Sequence, residues 1–180
     1  PTQEGLYRHY SFLAKKVDIP IILYNVPGRT GVSITPQTVA RLAKIPNIVA
    51  IKEASGNLDQ VDQILELCAV TVISGEDSLT MPMIAIGAKG VISVTANVVP
   101  HLVREMVHAM LNGDLEQGKE LHHKLYPLSK TLFIETNPIP VKTALGMMRL
   151  IRPELRLPLC EMGEENKRKL RIVLKKLGGI

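Results

Sequence analysis

The sequence is poor in the features that would commit it to a membrane, an oxidising compartment or a nucleic acid. No apolar run approaches the roughly 20 residues that a helix needs to cross a bilayer, and no segment has the pattern of a signal peptide. There are two cysteines, Cys68 and Cys160, far apart and in no metal-binding spacing. Two thiols without a disulfide framework indicate a reducing, cytoplasmic setting. Charge of one sign is lacking too. The 22 Lys and Arg are interspersed with 17 Asp and Glu, for a net charge of +5, which argues against a nucleic-acid interface. The exception is the tail "NKRKLRIVLKK", where Leu170, Val173, Leu174 and Leu177 recur at helical spacing. Its basic residues read as the solvated face of a helix, with a membrane-surface helix as the competing reading. An initiator methionine is also missing, since the chain starts Pro1-Thr2-Gln3. What remains, 46% hydrophobic and 22% charged over 180 residues, is the composition of an ordinary globular chain.

The apolar residues fall into an alternation. Leu6, Tyr10, Leu13, Ala14 and Val17 make one face of a helix over about residues 4–16. "IPIILYNV" (19–26) follows as a strand closed by the turn "PGRTG". Thr35 caps a helix with Pro36 in its first turn. "NIVAIKEA" is the second strand, and Asn57 opens a helix with Gln60 at the reach-back position of a capping box. "VTVISG" (70–75) is a third strand, Ser78–Ile86 a short helix stopped by Gly87, and "GVISVTA" (90–96) a fourth strand. The next helix has Pro100 near its start and Gly113 past its end. From Asp114 onward three helical segments follow, with Pro153 and Pro158 between the last two.

Near-continuous apolar strands alternating with helices mean a parallel sheet covered by helices. The strands start near Ile21, Ile48, Val70 and Val91, a short and even repeat that favours a (β/α)8 TIM barrel over a doubly wound sheet. A whole barrel needs eight such units, typically in about 250 residues, and four are present. The expectation is the second half of a barrel over residues 1–113 and a C-terminal helical domain over 114–180, a fragment rather than a complete product. Alone, such a half-barrel would expose sheet edges and apolar faces and would aggregate or oligomerise.

In β/α barrels the reacting groups sit at the C-terminal strand ends. Here these ends hold Tyr24 and Asn25, then Lys52, then Ser74 to Asp77, then Ile92 to Asn97. A lysine in a barrel mouth is partly desolvated, which favours its neutral, nucleophilic form. Such an amine forms a Schiff base with a ketone or aldehyde, and the protonated imine serves as an electron sink. The plainer reading is a snorkelling or ion-paired lysine with Glu53 as partner, but adjacent strand residues point to opposite faces. Tyr24, at matching depth on the neighbouring strand, could relay protons or simply pack. Arg29, between two glycines, could fork onto a substrate carboxylate or stay solvated. The three together suit carbon–carbon bond chemistry on an oxo acid.

Other features carry less. Glu76-Asp77 could hold a metal, yet Asp77 or Ser78 capping the next helix is the simpler role. Gly87 and Gly90 lie at the wrong end of a strand for a phosphate loop. His122 and His123 are adjacent on a helix and do not face each other; His101 and His108 are surface helix residues. Met106, Met110, Met147 and Met148 read as helical core or interface.

"YNVPGRTG", "AIKEASGN", "SGED", "GAKGVISVTANV" and "NPIPVKTAL" resemble, in order and across essentially the whole chain, the dihydrodipicolinate synthase and N-acetylneuraminate lyase family of class I aldolase-type lyases. The resemblance implies a β/α barrel with a C-terminal helical domain, a homotetramer built as a dimer of dimers, and condensation of pyruvate with L-aspartate 4-semialdehyde in lysine and diaminopimelate biosynthesis. It implies that Lys52 captures pyruvate, that Tyr24 relays protons, that Arg29 holds the semialdehyde carboxylate, and that Gly75 and the Ile92 backbone line the pyruvate pocket. It implies no metal or redox cofactor, because pyruvate itself becomes the bound electrophile. The sister N-acetylneuraminate and 2-keto-3-deoxy sugar-acid lyases share the tyrosine and lysine but generally lack an arginine in this loop, so Arg29 favours the synthase branch. The family's Gly-Thr-Thr motif, the second relay tyrosine and most of the lysine-feedback site belong to the barrel's first half and are absent here; an inactive fragment is therefore the alternative.

Overall fold

Thr2 starts the first helix with its own side chain: its Oγ1 accepts the backbone N–H of Gly5, opening α1 (Gln3–Ala14). A computed structural model describes all 180 residues, which divide by packing into two compact units, Pro1–Ile92 and Ser93–Ile180. In the first unit α1 is followed by β1 (Ile21–Asn25), the one-turn α2 (Pro27–Thr30), α3 (Pro36–Leu42), β2 (Ile48–Glu53), α4 (Leu58–Leu67), β3 (Thr71–Ser74), a 3₁₀ turn (Asp77–Leu79) and α5 (Thr80–Ala85). The second unit holds a 3₁₀ turn (Thr95–Asn97) and the helices α6 (Pro100–Leu111), α7 (Leu115–Thr131), α8 (Ile139–Met147) and α9 (Glu164–Lys176). No helix is long and apolar enough to cross a membrane.

The sheet is parallel, in the order β1-β2-β3, and its register sets opposite each other Tyr24 and Lys52, then Lys52 and Ile73. Period-2 alternation gives it two different faces. Leu23, Ile51 and Val72 point to one side and are almost fully buried. This is the helix-covered side, because Gln60 of α4 reaches Glu53 there. Each such side chain stabilises the fold by about 1.5–3 kcal/mol relative to exposure. Ile22 and Tyr24 lie on the other face and stay 46% and 42% exposed, so that face has no helical cover.

Several expectations are corrected. The fourth strand shrinks to one isolated bridge between Ser74 and Val91. Ser74 N–H donates to the Gly90 carbonyl and Ile92 N–H to the Ser74 carbonyl, after which the ladder stops. The Ser93 hydroxyl then accepts the Ala96 N–H and bends the chain into the 3₁₀ turn, which ends strand pairing. "PGRTG" is not an open turn: it winds into α2 and stops at Gly31 with φ 71°, a conformation that glycine adopts without strain. Asn57 does cap α4 by accepting the Gln60 N–H, but the Gln60 side chain turns to Glu53 and to the Ile34 carbonyl instead of reaching back. α5 itself starts later than expected, at Thr80, behind Leu79, which makes no side-chain cap bond. The compact units, for their part, divide between Ile92 and Ser93, so α6, grouped with the half-barrel by sequence, packs in the second unit.

Within that second unit α6 and α7 approach closely because Gly118 has no β-carbon; one placed there would run into the Met110 side chain. Leu121, Leu125, Leu128, Leu170 and Leu174 supply its core, and the buried hydroxyls of Thr95 and Ser129 bond to each other at 3.1 Å. The basic residues of α9 lie on its outer side: Lys167 pairs with Glu161 and Glu164, and Lys169 with Glu165.

Candidate active site

Lys52 occupies the penultimate position of β2, on the face without helical cover, and its neighbours are set by register rather than by sequence proximity. Its Nζ lies 4.3 Å from the centroid of the Tyr24 ring. Such a contact favours the ammonium form by about 0.5–2 kcal/mol. Partial burial acts in the opposite sense, holding the amine below the ordinary lysine range, and outweighs the charge of Asp77, which pulls it back up.

Gly75 completes the cluster. A β-carbon on Gly75 would stand 2.9 Å from Cε and 3.0 Å from Cγ of Lys52, and 2.7 Å from Cβ of Ala54. The absence of a side chain therefore leaves the channel through which the lysine stem passes. Gly75 N–H donates to the Glu53 carbonyl at 2.8 Å, which ties this point to the end of β2. Ile92 sits beside the same strand end through its N–H bond to Ser74, with its side chain exposed. Arg29 is carried on the exposed α2, in the segment that leaves β1 just after Asn25. The structure thus brings Lys52, Tyr24 and Gly75 into one contact group and places Arg29 and Ile92 on the flanking segments.

Glu53 points the other way, as alternation requires, and is not a partner of Lys52. It is 2% exposed. Its Oε2 accepts from Asn25 Nδ2 at 2.9 Å and from Gln60 Nε2 at 3.0 Å, and its Oε1 accepts from Ser55 N–H at 2.7 Å. Beyond the rejected pairing with Lys52, sequence reasoning assigned this residue no part. The available signal was a carboxylate at an inward strand position, one residue beyond a register partner of Tyr24, with Asn25 at the matching place on β1.

No group of three or more His, Cys, Asp or Glu is placed to hold a metal ion. Glu76 instead accepts from the Ser78 hydroxyl. His122 and His123, which the helical spacing set apart, meet edge-on with ring centroids 5.5 Å apart, and burial together with His123 lowers the His122 pKa.

Comparison with known proteins places this geometry in a family. Residues 1–177 match the model of the dihydrodipicolinate synthetase family, and the chain belongs to that family. The 4-hydroxy-tetrahydrodipicolinate synthase of Thermodesulfovibrio yellowstonii is 58% identical over 180 residues, covering 99% of this chain and 62% of that protein. The protein of the same name from Methanocaldococcus jannaschii is 56% identical over 179 residues, with the same two coverages. Crystal structures of dihydrodipicolinate synthases from Aquifex aeolicus and Thermotoga maritima superpose with TM-scores of 0.97 each. The first is 52% identical and covers 99% of this chain and 62% of the solved one. The second is 47% identical and covers 100% of this chain and 63% of the solved one. The chain therefore spans about 62% of the length of the curated relatives it matches.

Proposed function

We propose that this chain carries the nucleophile of a pyruvate-dependent Schiff-base lyase that makes 4-hydroxy-tetrahydrodipicolinate from pyruvate and L-aspartate 4-semialdehyde, in lysine and diaminopimelate biosynthesis. The observation behind the reading is the position of Lys52: an amine with a depressed pKa, 4.3 Å from the Tyr24 ring, on the open face at the strand ends. The names of the relatives support the same product.

In this reading the neutral Lys52 amine adds to the C2 ketone of pyruvate, and loss of one water leaves the imine. The protonated imine draws electrons from C3, so a C3 proton departs and an enamine forms. The enamine carbon attacks the aldehyde carbon of the semialdehyde, whose oxygen takes up a proton. The amino group of the semialdehyde then displaces Lys52 from C2 and closes the ring. Overall one water is released and Lys52 is regenerated. The Tyr24 phenol carries protons between these centres, and Arg29 holds the carboxylate of the second substrate in a charge-assisted fork. Gly75 and the Ile92 backbone line the place where pyruvate sits. Pyruvate is the only electrophile required for the imine, with no further cofactor.

The wider setting follows from the same reading. The first unit contributes the later strands of a (β/α)8 barrel, with the Tyr24–Lys52 face turned into its interior, and the second unit contributes α6 to the same barrel before a C-terminal helical domain begins near Asp114. The working enzyme is cytoplasmic and a homotetramer. One solved relative, 46% identical and with a TM-score of 0.97, is described as the first monomeric dihydrodipicolinate synthase variant, so assembly varies among relatives.

Borohydride reduction in the presence of pyruvate, applied to the full-length protein containing this chain, tests the mechanism. The expected result is a stable adduct on the peptide containing Lys52. An adduct mapped elsewhere, or turnover without any trapped species, overturns it.

A further inference from the structure

The buried polar cluster behind the site has a fixed direction. Asn25 is 1% exposed, and its Oδ1 accepts the backbone N–H of Ile34 at 2.9 Å. A backbone donor cannot be reversed, so the Asn25 amide group must face the other way, towards Ser33 Oγ at 3.1 Å and Glu53 Oε2 at 2.9 Å. Oε2 must then be an acceptor. Oε1 must be one as well, because it meets the backbone N–H of Ser55 at 2.7 Å. A side chain here must therefore accept on both oxygens, which a carboxylate does and an amide does not. Gln60 adds a third donor and ties the cluster to Ile34 through that residue's carbonyl.

We propose that Glu53 is a positioning residue for the second substrate: through Asn25 it fixes residues 27–34, and with them Arg29. This rests on the Schiff-base reading in one respect, that Arg29 binds the carboxylate of the semialdehyde. Lys52 leaves β2 on the opposite face and its contacts with Tyr24 and Gly75 do not include the Glu53 side chain. The sheet bonds of β1 and β2 hold that pair in register as well, so imine formation should depend on Glu53 far less than binding of the second substrate does. The polar cluster acts as a buried bracket. One arm holds the ends of β1 and β2 together beside the Ala54 N–H bond to the Asn25 carbonyl, and the other holds the loop at Ile34.

The test is Glu53→Gln in the full-length protein, paired with the double variant Asn25→Asp, Glu53→Gln. In the single variant an amide NH2 is forced against a donor on one side or the other. In the double variant the introduced amide would give its carbonyl to Ser55 N–H and its NH2 to the introduced carboxylate, which would still accept from Ile34 N–H. Gln60, with its own amide turned over, would accept the second N–H of that NH2 and donate to Ser33 Oγ, which it already approaches, but would give up its 3.4 Å bond to the Ile34 carbonyl. Glu53→Gln is expected to raise KM for the semialdehyde roughly 10-fold or more, as loss of a buried charge-assisted bond implies. Borohydride trapping with pyruvate should stay within about twofold of the parent, as for a group outside the imine step. Hydrogen exchange over residues 26–35 should speed up in the single variant, and the double variant, which lacks only the Gln60 bond to the Ile34 carbonyl, should recover most of both exchange protection and KM. Unchanged KM and exchange in Glu53→Gln, or equal losses in trapping and KM, overturn the proposal. So does a double variant that is as impaired, or as unfolded, as the single one. If the parent itself traps no pyruvate at Lys52, the Schiff-base reading fails, while the exchange comparison still decides whether Glu53 holds the loop.

Discussion

Tyr24 and Lys52 are register partners on adjacent parallel strands, so the amine stands over the aromatic ring and the two are held by the sheet itself. The ring favours the charged amine, whereas burial favours the neutral one and lowers the Lys52 pKa against the charge of Asp77. Tyr24→Phe retains the ring and removes the hydroxyl. It is expected to lower kcat by about 10²–10⁴-fold, the range for loss of a positioned proton carrier, while leaving the Lys52 adduct trappable. Steady-state kinetics beside borohydride labelling of the full-length variant checks this. An unaltered kcat assigns the phenol a packing role only.

Lys52→Arg preserves a cation at the end of β2 and removes the nucleophile. It is expected to abolish the pyruvate adduct altogether, because a guanidinium stays protonated throughout the accessible pH range. Intact-mass spectrometry after reduction reads the outcome, and an adduct in this variant means that another amine does the chemistry.

The pH dependence of imine formation has a definite sign. The reactive form is the neutral amine, so the rate rises with pH, and its midpoint should lie below the ordinary lysine value of about 10.4 because burial depresses Lys52. Asp77, itself buried, acts to raise that midpoint by its charge. Asp77→Asn should therefore move the midpoint further down, so that more of the lysine is neutral near neutral pH. Stopped-flow trapping across pH measures both midpoints; an upward shift in Asp77→Asn refutes the electrostatic argument.

Gly75→Ala should displace the lysine stem. The added methyl would meet Lys52 Cε and Ala54 Cβ inside contact distance, and overpacking of this kind costs about 1–3 kcal/mol. The expected result is a modest loss of stability in urea together with a large fall in trapping rate. A variant that traps pyruvate as fast as the parent shows that the stem has room to spare.

Ile51→Ala provides a contrast. Ile51 is fully buried on the helix-covered face, adjacent to Lys52 in sequence but on the other side of the sheet. Its truncation should cost about 2–5 kcal/mol of stability and leave the trapping rate of the folded protein nearly unchanged. Urea denaturation and labelling at low denaturant separate the two effects. Parallel losses in both mean that the two faces of β2 do not act independently.

The alternation of strands and helices in the first unit was legible from the amino acids alone. So were the caps at Thr35 and Asn57, the all-helical character of the chain after Asp114, and the placement of Tyr24 and Lys52 at strand ends. These follow from local rules, namely hydrophobic period, capping chemistry and the opposite facing of neighbouring strand residues, so a single stretch of chain suffices to read them. Folding in three dimensions was needed to bring Lys52 over Tyr24, to make Gly75 clear the lysine stem, to turn Gln60 from Asn57 to Glu53, and to end the fourth strand at Ser93 after a single bridge. The bracket of Asn25, Glu53 and Ile34 is the clearest case, since it joins groups far apart in the chain. Its direction depends on which backbone donors the fold leaves without a helix or strand partner, and that is settled only when the strands are in register and the loop has closed over them.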